Sequence, residues 1–477
     1  MAGATASLGE TASPYLPPTA ARGCPYCFDP DSPPLRAALL PHPRLDPLPT
    51  EPFLADLTFL HQLLRRQYAG YPDWLQQRGF DPDAFFTRWM ETVRAAGDAI
   101  DFRAGVIEPL VALRQVVPDH HLLIRGAGPD LDADPRLVCR EYQAVVPADA
   151  PSPDADAVAG IPGVRPATLR TAPLLRSDGR IATVLTLSAS GGAPALTLRY
   201  GGLEIELRPR PRTPTPPLAP LDIPAYDYGA IGDTTVITLR SFATSTAVRQ
   251  QLRRLADDYP MHARQPTLLI DLRDNQGGSL EYIRAWIAQA RQGEWRSHPH
   301  LAVVGALWPC DPWNLAVERQ IGEGTVDTTE ARAERELLRA AWAGPPPAHP
   351  SQLSLGLQQG RATHPYSGRV FVLLNRNAGS SGELAALDLQ RALGGVLVGE
   401  RSAGTMQYGE VRRFVLPHTG LVCQVPTRRF FFDAAVEGVG VPVDVYLERS
   451  EQEVTDLLPS LDRLWTVGRG DATGHFV

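Results

Sequence analysis

The sequence contains no lysine, and all 46 of its basic residues are arginine. Lysine supplies the amine of Schiff-base enzymes, some general bases and the phosphate-binding residue of a P-loop. None of these mechanisms is available to this chain. The use of arginine in place of lysine is typical of a bias in overall amino-acid composition. Its chemical consequence does not depend on how it arose.

Long apolar segments and basic runs are absent as well. No apolar stretch approaches the length needed to span a membrane, and the net charge is −7. We therefore expect neither a membrane nor a nucleic acid as a partner. The first 27 residues lack both a basic n-region and an apolar h-region, which predicts a cytoplasmic location.

Cysteine is scarce. The five cysteines are Cys24, Cys27, Cys139, Cys310 and Cys423. An odd number of cysteines without a secretion signal argues against a disulfide framework. Cys24 and Cys27 form a CxxC, but no second CxxC or clustered CxxH accompanies it. We expect no metal and no cofactor, and a metal or redox function of this pair stays as an alternative.

Proline and glycine are frequent, at 46 and 41 of the 477 residues, which indicates long ordered loops and linkers. We divide the chain into five segments by composition and periodicity. They are an irregular proline-rich arm (1–50), a helical bundle (51–126), a β-rich inserted module with a proline-rich linker (127–222), an α/β core (223–450) and a C-terminal tail (451–477).

Apolar periodicity supports this division. Apolar residues at three- and four-residue spacing predict helices from about Phe53, around Asp83–Arg94 and over about 102–117. Short apolar runs between aspartate- and proline-rich loops, such as Asp130–Asp134, predict strands in the module. From Thr235 onward strands alternate with helices, which predicts a layered α/β fold with its site at the carboxyl ends of the strands.

The stretch Arg369–Glu383 combines a buried strand, a small-residue turn and a helix. Val370–Leu374 is continuously apolar, as expected for a strand buried on both faces. Ser380 lies in the turn that follows, just before a helical pattern begins. Such a turn places a hydroxyl over a helix N-terminus, where backbone N–H groups can stabilise an oxyanion. The alternative is an ordinary helix cap.

Other motifs lie at the ends of predicted elements. DLRDNQGG at 271–278 follows a buried strand, and its adjacent glycines permit close backbone approach and offer N–H donors. GERSAG at 399–404 follows another short strand, and EGVGVPVD at 437–444 closes the core. The histidine pair His120-His121 ends the helical bundle.

These motifs, in this order, resemble those of the C-terminal-processing and tricorn-like serine peptidases. DLRDNQGG is similar to that family's DLRxNxGG loop, the Ser380 turn to its nucleophile turn, GERSAG to its GExTxG motif and EGVGVPVD to its terminal ExxGVxxD motif. The resemblance covers about 53–125 and 225–448. It implies a serine peptidase with a layered α/β core of the ClpP/crotonase-like kind, preceded by a small helical bundle and the inserted β-rich module.

By this resemblance Ser380 is the nucleophile of an acyl-enzyme mechanism, and a histidine takes its proton. One branch of the family uses a Ser–Lys dyad, but Thr405 occupies the lysine position here. The tricorn-like branch takes its base from the position of His121, and Glu437 matches the residue that orients the base. An imidazole suits this task because its pKa lies near neutrality.

His120 departs from the family pattern, since it replaces the glycine or serine that usually precedes the base. Three arrangements stay open. His120 bridges Glu437 to His121, or a water or Ser381 does so, or His120 is itself the base.

The resemblance places the oxyanion hole at the N–H of Ser381 and at that of Gly277 or Gly278. Removing one such donor typically costs about 100- to 1000-fold in rate. Both donors are present in the sequence, so the apparatus for acyl transfer is complete.

The expected partner is a peptide or an unfolded protein substrate, and a homo-oligomer is compatible with the sequence. The alternative function is a catalytically altered family member that binds an apolar ligand or a peptide without proteolysis, since the family has a retinoid-binding relative. Many relatives carry a PDZ-like module. Residues 127–222 lack its recognisable carboxylate-binding pattern, so they form either a degenerate PDZ-like module or an unrelated insert.

Overall fold

The computed structural model describes residues 45–134, 136–137, 139–147, 169–190, 193–200, 203–210, 224–295, 303–307, 358–416 and 418–470. Most of the predicted N-terminal arm, with Cys24 and Cys27, lies outside these residues, and so do Cys310 and most of the proline-rich linker.

The N-terminal helices surround one apolar cluster that includes Phe53, Trp74 and Phe86. The elements are α1 (Thr50–Gln67), α2 (Tyr71–Gln76), α3 (Pro82–Ala95), a π-helix (Arg103–Ile107), α4 (Glu108–Val116) and α5 (Gly128–Ala133). The Asp81 carboxylate starts α3 by accepting the N–H groups of Asp83 and Ala84, with a proline at the first helical position.

Helix α5 corrects the prediction of a loop at Asp130–Asp134. Pro129 lies in the first turn, where its missing N–H costs no hydrogen bond, and Asp130 there interacts favourably with the helix dipole. Composition alone therefore underestimated the helical tendency of this segment.

The remaining helices flank the α/β core. They are α6 (Thr246–Asp257), α7 (Tyr259–His262), α8 (Glu281–Ala290), α9 (Ser381–Leu393), α10 (Val454–Leu457) and α11 (Leu461–Gly470). In the segment assigned as a C-terminal tail, Leu461 and Leu464 of α11 pack with Val396 and Val445 in one buried cluster. This part of the tail is folded onto the core.

Among the described residues, the strands form one large sheet and three smaller ones. They are β1 (Leu48–Pro49), β2 (Ala99–Ile100), β3 (Leu123–Ile124), β4 (Cys139–Val146), β5 (Arg170–Leu175), β6 (Ile181–Ser190), β7 (Leu196–Tyr200), β8 (Leu203–Pro209), β9 (Tyr226–Ile231), β10 (Thr234–Leu239), β11 (Thr267–Asp271), β12 (Gln292–Trp295), β13 (Val303–Leu307), β14 (Gln358–Arg361), β15 (Arg369–Leu374), β16 (Val396–Gly399), β17 (Tyr408–Val415), β18 (Val422–Phe432) and β19 (Val445–Leu447).

The large sheet has the strand order β7-β8-β4-β6-β5-β19-β16-β15-β11-β10-β9. Its centre, from β5 to β10, is parallel. Helices pack against β11 and β16, which are buried throughout, and against β15, which is buried from Val370 onward. The predicted layered α/β fold is confirmed. Strands of the β-rich segment extend this same sheet, because β5 pairs with β19. The division into five segments stays a prediction.

Two features of the topology position the site. Strands β11, β15 and β16 lie side by side, so the loops that follow them emerge at one edge of the sheet. In a second sheet of order β13-β18-β17, strand β3 pairs with β18, with Ile124 opposite Cys423. That pairing attaches to the core the segment around His120 and His121, called the histidine segment below, which follows the helical bundle.

We predict that His262 makes stability depend on pH. Its side chain is fully buried, Nδ1 accepts the indole N–H of Trp286 at 2.9 Å, and Nε2 lies 2.9 Å from the Tyr226 hydroxyl. An Nδ1 that accepts is unprotonated, and burial lowers the pKa of His262 to about 4. The unfolded chain then binds more protons between about pH 6.5 and 4, so the free energy of unfolding falls as pH falls through that window.

The test is urea unfolding at pH 7.5 and 5.0. His262→Gln should lose about 1–2 kcal/mol less stability between these pH values than the wild type, because its side chain does not titrate. Exposed His364 provides the matched control, and His364→Gln should keep the wild-type pH dependence. An unchanged pH dependence in His262→Gln would contradict the assignment.

Candidate active site

Ser380 occupies a strained position between β15 and α9. Its φ is 54° and its ψ is −123°, an uncommon conformation for a residue with a Cβ. It is the N-cap of α9, so the positive end of the helix dipole lies at this residue. Strain of this kind persists where surrounding contacts enforce it and often marks functional sites.

The buried carboxylate of Glu383 enforces this turn. Its Oε2 accepts the backbone N–H groups of Ser380 and Thr405, each at 2.8 Å, and the Thr405 hydroxyl at 3.1 Å. Its Oε1 accepts the Ser402 hydroxyl at 2.5 Å and the N–H of Gly404 at 2.7 Å. Burial raises the pKa of Glu383, and these donors oppose the increase. The glutamate therefore joins the nucleophile turn to the GERSAG loop.

Thr405 makes a second connection between the two loops. Its hydroxyl oxygen accepts the N–H of Ser380 at 2.8 Å. Thr405 thus lies at the position of the family's lysine in sequence, and in the structure its hydroxyl contacts the backbone of Ser380.

Asn275 positions the DLRDNQGG loop against the nucleophile turn. The side chain is fully buried; Nδ2 donates to the Leu239 carbonyl at 3.0 Å, and Oδ1 accepts the N–H of Gly277 at 2.9 Å. Its backbone carbonyl accepts the N–H of Gly379 at 2.9 Å. Asn275 therefore fixes both the DLRDNQGG loop, through Gly277, and the turn at Ser380, through Gly379.

The two glycines proposed as oxyanion donors differ in their hydrogen bonds. The Gly277 N–H is committed to Asn275. The Gly278 carbonyl accepts the Ser381 hydroxyl at 2.7 Å, and the N–H groups of Gly278 and Ser381 donate to no acceptor among the described residues. Two unengaged N–H groups on adjoining loops are the arrangement that stabilises an oxyanion.

A polar cluster joins the loops that follow β11 and β15. Asp274, with a φ of 64°, accepts the side-chain amides of Asn375 and Asn377, each at 2.8 Å. The nearby Asp271 pairs with Arg273 at 2.8 Å and with Arg240 at 3.0 Å. These acids have the structural roles expected of a loop turn and a strand end.

Hydrogen bonds with Asp119 and Arg114 fix the backbone of the histidine segment. Asp119 Oδ1 accepts the backbone N–H groups of His121 and Leu122 at 2.8 and 3.2 Å, which forms an Asx-type turn. The buried guanidinium of Arg114 donates to the carbonyls of His120 and Leu122 at 3.1 and 3.2 Å.

The same surroundings keep both imidazoles neutral. Burial, the Arg114 charge and His121 lower the pKa of His120 to about 3. Burial and Arg114 lower the pKa of His121 to about 4, and a hydrogen bond with the Tyr408 backbone opposes this decrease. Nδ1 of His121 has no hydrogen-bond partner among the described residues.

Glu437 contacts the backbone of the histidine segment. Its Oε1 accepts the N–H of His120 at 3.4 Å, and its Oε2 accepts the N–H of Gln407 at 2.9 Å. Burial, and the nearby charge of Asp119, raise the pKa of Glu437 well above its ordinary value.

The structure thus brings the predicted residues together through one short segment, 404–408. This segment contacts Ser380 through Thr405, Glu437 through Gln407 and His121 through Tyr408. Within the described part of the chain, neither imidazole is hydrogen-bonded to the Ser380 hydroxyl. Such bonds are often long before substrate binds.

Sequence reasoning missed three residues that position the site. Arg114 carried no motif signal because it is one arginine on an amphipathic helix. Asn275 and Glu383 lie inside recognised motifs. For Glu383 the available signal was the capping-box spacing, an acid three residues after Ser380.

No group of three histidine, cysteine, aspartate or glutamate side chains with the geometry of a metal site occurs among the described residues. Helices of the described ranges are also all too short or too polar to cross a membrane.

The family model described as Peptidase family S41 matches residues 310–447. The nucleophile turn, GERSAG and EGVGVPVD lie inside that range, whereas DLRDNQGG and the histidine pair precede it. The match confirms the family resemblance drawn from the motifs and the class of serine-type peptidase. None of the curated proteins compared with the chain matches it.

Solved structures of low sequence identity are also similar. Mature CPAF is 14% identical with a TM-score of 0.49, covering 89% of this chain and 98% of that chain. The photosystem II D1 C-terminal processing protease is 15% identical with a TM-score of 0.35, covering 88% and 97%. A putative S41 protease from Bacteroides fragilis NCTC 9343 is 13% identical with a TM-score of 0.36, covering 86% and 97%.

We predict that Gly277→Ala inactivates the site. The added Cβ would lie 2.7 Å from the Ser381 nitrogen and 2.9 Å from the Ser380 Cβ, so the nucleophile turn must move. Gly293 gives a matched control, because it also has a positive φ, of 80°, but its Cβ would meet nothing within 4 Å.

Peptide-hydrolysis rates and thermal unfolding of both variants provide the measurement. Both should lose about 1 kcal/mol of stability from backbone strain, and only Gly277→Ala should lose about 100-fold or more in kcat/KM. Equal activities in the two variants would show that Gly277 does not contact the reacting centre.

Proposed function

We propose that this chain, a serine-type peptidase of family S41, hydrolyses peptide bonds through an acyl-enzyme on Ser380. The observation that carries the proposal is the strained Ser380 at the start of α9, with the unengaged N–H groups of Ser381 and Gly278 on either side. In this proposal the hydroxyl attacks the substrate carbonyl, and the two N–H groups receive the negative charge that develops on its oxygen.

His121 is the general base in this proposal. A hydroxyl needs a base to take its proton as it attacks, and the chain has no lysine for that role. The imidazole of His121 is neutral, and a hydrogen bond with the Tyr408 backbone engages one ring nitrogen. Nδ1, which has no partner among the described residues, is then the nitrogen open to accept a proton.

Glu437 acts on the base through the backbone. By accepting the N–H groups of His120 and Gln407, it connects the histidine segment to the loop that also contacts Ser380. The contacts favour an arrangement that differs from the three relays considered from the sequence. In it Glu437 accepts the backbone N–H of His120 and so positions the segment, and His121 acts as base. His120 then supports the site without transferring a proton.

The substrate class follows from the family, and it comprises peptides and unfolded proteins. We further propose a cytoplasmic location and retain a homo-oligomer as compatible with the chain.

Nothing in the described residues specifically favours the non-proteolytic alternative, since the oxyanion donors and a neutral imidazole are all present.

The first test replaces the nucleophile. Ser380→Ala should lose about 10⁶-fold in peptide hydrolysis and all labelling by a fluorophosphonate, because no other hydroxyl takes its place. Ser381→Ala is the matched control. It removes a neighbouring hydroxyl but keeps the backbone N–H of the oxyanion hole, so labelling should persist.

Labelling of Ser380→Ala at the wild-type rate would refute the assignment of the nucleophile. A wild-type protein that is labelled but cleaves no peptide would instead support the non-proteolytic alternative.

The pH dependence of kcat/KM tests the base. A general base works when unprotonated, so activity should fall as pH drops through the pKa of His121, which is about 4. We expect the rate to stay level from pH 7 to 5 and its acid limb to lie near pH 4. His121→Ala should lose most activity, whereas His120→Ala should keep more. An acid limb near pH 6.5, or the reverse order of the two variants, would contradict the assignment.

A further inference from the structure

A cavity of about 310 Å³ opens beside the candidate active site. Its walls run along the end of β18 and the loop after it, from Arg429 to Val436, and include Gln407. Gln407 donates its N–H to Glu437 at 2.9 Å, and Val436 directly precedes Glu437. The cavity therefore shares a wall with the segment that connects the nucleophile turn to the histidine segment.

Three consecutive phenylalanines give the cavity its apolar character. Phe430, Phe431 and Phe432 all line it, and each is only partly buried. Their backbone is held on both sides, since β18 pairs with β13 and the N–H of Phe430 donates to the Gln407 carbonyl at 2.7 Å. The aromatic wall is thus fixed in place while part of its surface stays accessible.

Phe430 packs its ring against Gly409 of the neighbouring strand β17. A Cβ on Gly409 would lie 2.8 Å from the Phe430 ring, so the ring lies directly over the backbone of β17. This contact holds the ring on the cavity wall.

Two charged residues line the cavity, Arg429 and the solvent-exposed Asp433. The positive charge of Arg429 is neutralised. Arg429 pairs with Asp73 at 2.7 Å, and its guanidinium stacks over the Phe431 ring at 4.7 Å. Asp73 also accepts the Tyr408 hydroxyl at 2.7 Å. Because a partner carboxylate already compensates the arginine, the cavity does not favour an acidic group.

We propose that this cavity binds a bulky apolar side chain, aromatic or long aliphatic, of the peptide being hydrolysed. The inference rests on the proposed function and adds its substrate preference. Size and chemistry both fit, since binding pockets begin at about 300 Å³ and are lined mainly by apolar and aromatic groups. Its position beside Gln407 and Glu437 puts the bound side chain close to the scissile bond.

The experiment fills the cavity from its exposed rim. Ala434 and Ala435 line it and are solvent-exposed, so tryptophan at either position occupies space without disturbing the core. Ala230, an exposed residue on β9 at the far edge of the large sheet, gives the matched control Ala230→Trp. Fluorophosphonate labelling of Ser380 reports for every variant that the nucleophile is intact.

A peptide library first identifies the position where the wild type prefers bulky apolar residues. Two peptides that differ only by Phe or Ala at that position then give kcat/KM. The wild type should prefer the Phe peptide by at least about 10-fold. At least one of Ala434→Trp and Ala435→Trp should lower kcat/KM for the Phe peptide by about 10-fold or more and change kcat/KM for the Ala peptide by less than about twofold. The control Ala230→Trp should change neither value.

Other outcomes overturn the proposal. These are a wild type without a bulky apolar preference at any position, or rim variants that affect the two peptides equally or not at all while labelling persists. If the wild type neither cleaves the library nor is labelled, the proposed function fails as well, and the two failures are thereby distinguished.

Discussion

The buried carboxylate of Glu383 is the interaction on which the site depends. It accepts donors from the nucleophile turn and from the loop after β16, and burying it without them would cost several kcal/mol. The backbone at Ser380 adopts a conformation that a non-glycine residue avoids, and Glu383 and Thr405 both hold its N–H. The hydrogen bonds that Glu383 and Thr405 accept therefore offset the energetic cost of the strained backbone at Ser380.

A second constraint is the concentration of buried acids around the histidine segment. Glu437 lies close enough to Asp119 and Glu383 for their charges to act on it, and burial together with these two charges raises the pKa of Glu437. Burial raises the pKa of Asp119 to about 6, and Arg114 opposes that increase. Burial, together with the charge of Arg114, keeps the imidazoles neutral, so this buried cation both anchors the histidine segment and adds to the lowering of its pKa values.

The fold explains why these groups meet. Parallel strands β11, β15 and β16 end at one edge. The loops that follow them supply the turn at Ser380, the N–H groups proposed as oxyanion donors and the acceptors that fix these loops. Strand β3 brings the histidine segment to the same edge by pairing with β18. Strand β18 continues from that pairing toward the aromatic cavity, so one strand positions both the proposed base and the cavity wall.

Sequence alone determined the fold class, the strand–turn–helix at Ser380 and the absence of a lysine base, because each depends on local pattern or composition. Apolar runs specify buried strands, and a strand followed by small residues and a helix specifies the turn at Ser380. Local pattern also had limits, as the helix at Gly128–Ala133 shows. A proline and an acid in its first turn outweighed a composition typical of loops.

Only the tertiary structure decided how the distant groups are arranged. His120 and Glu437 are separated by 317 positions, and the sequence gives no means to tell whether a carboxylate reaches an imidazole or a backbone N–H. Likewise, Gly277 and Gly278 are equivalent in sequence, but Asn275 engages the N–H of Gly277 and not that of Gly278. Hydrogen-bond partners and desolvation depend on which surfaces the folded chain places in contact, and these are properties of packing rather than of sequence pattern.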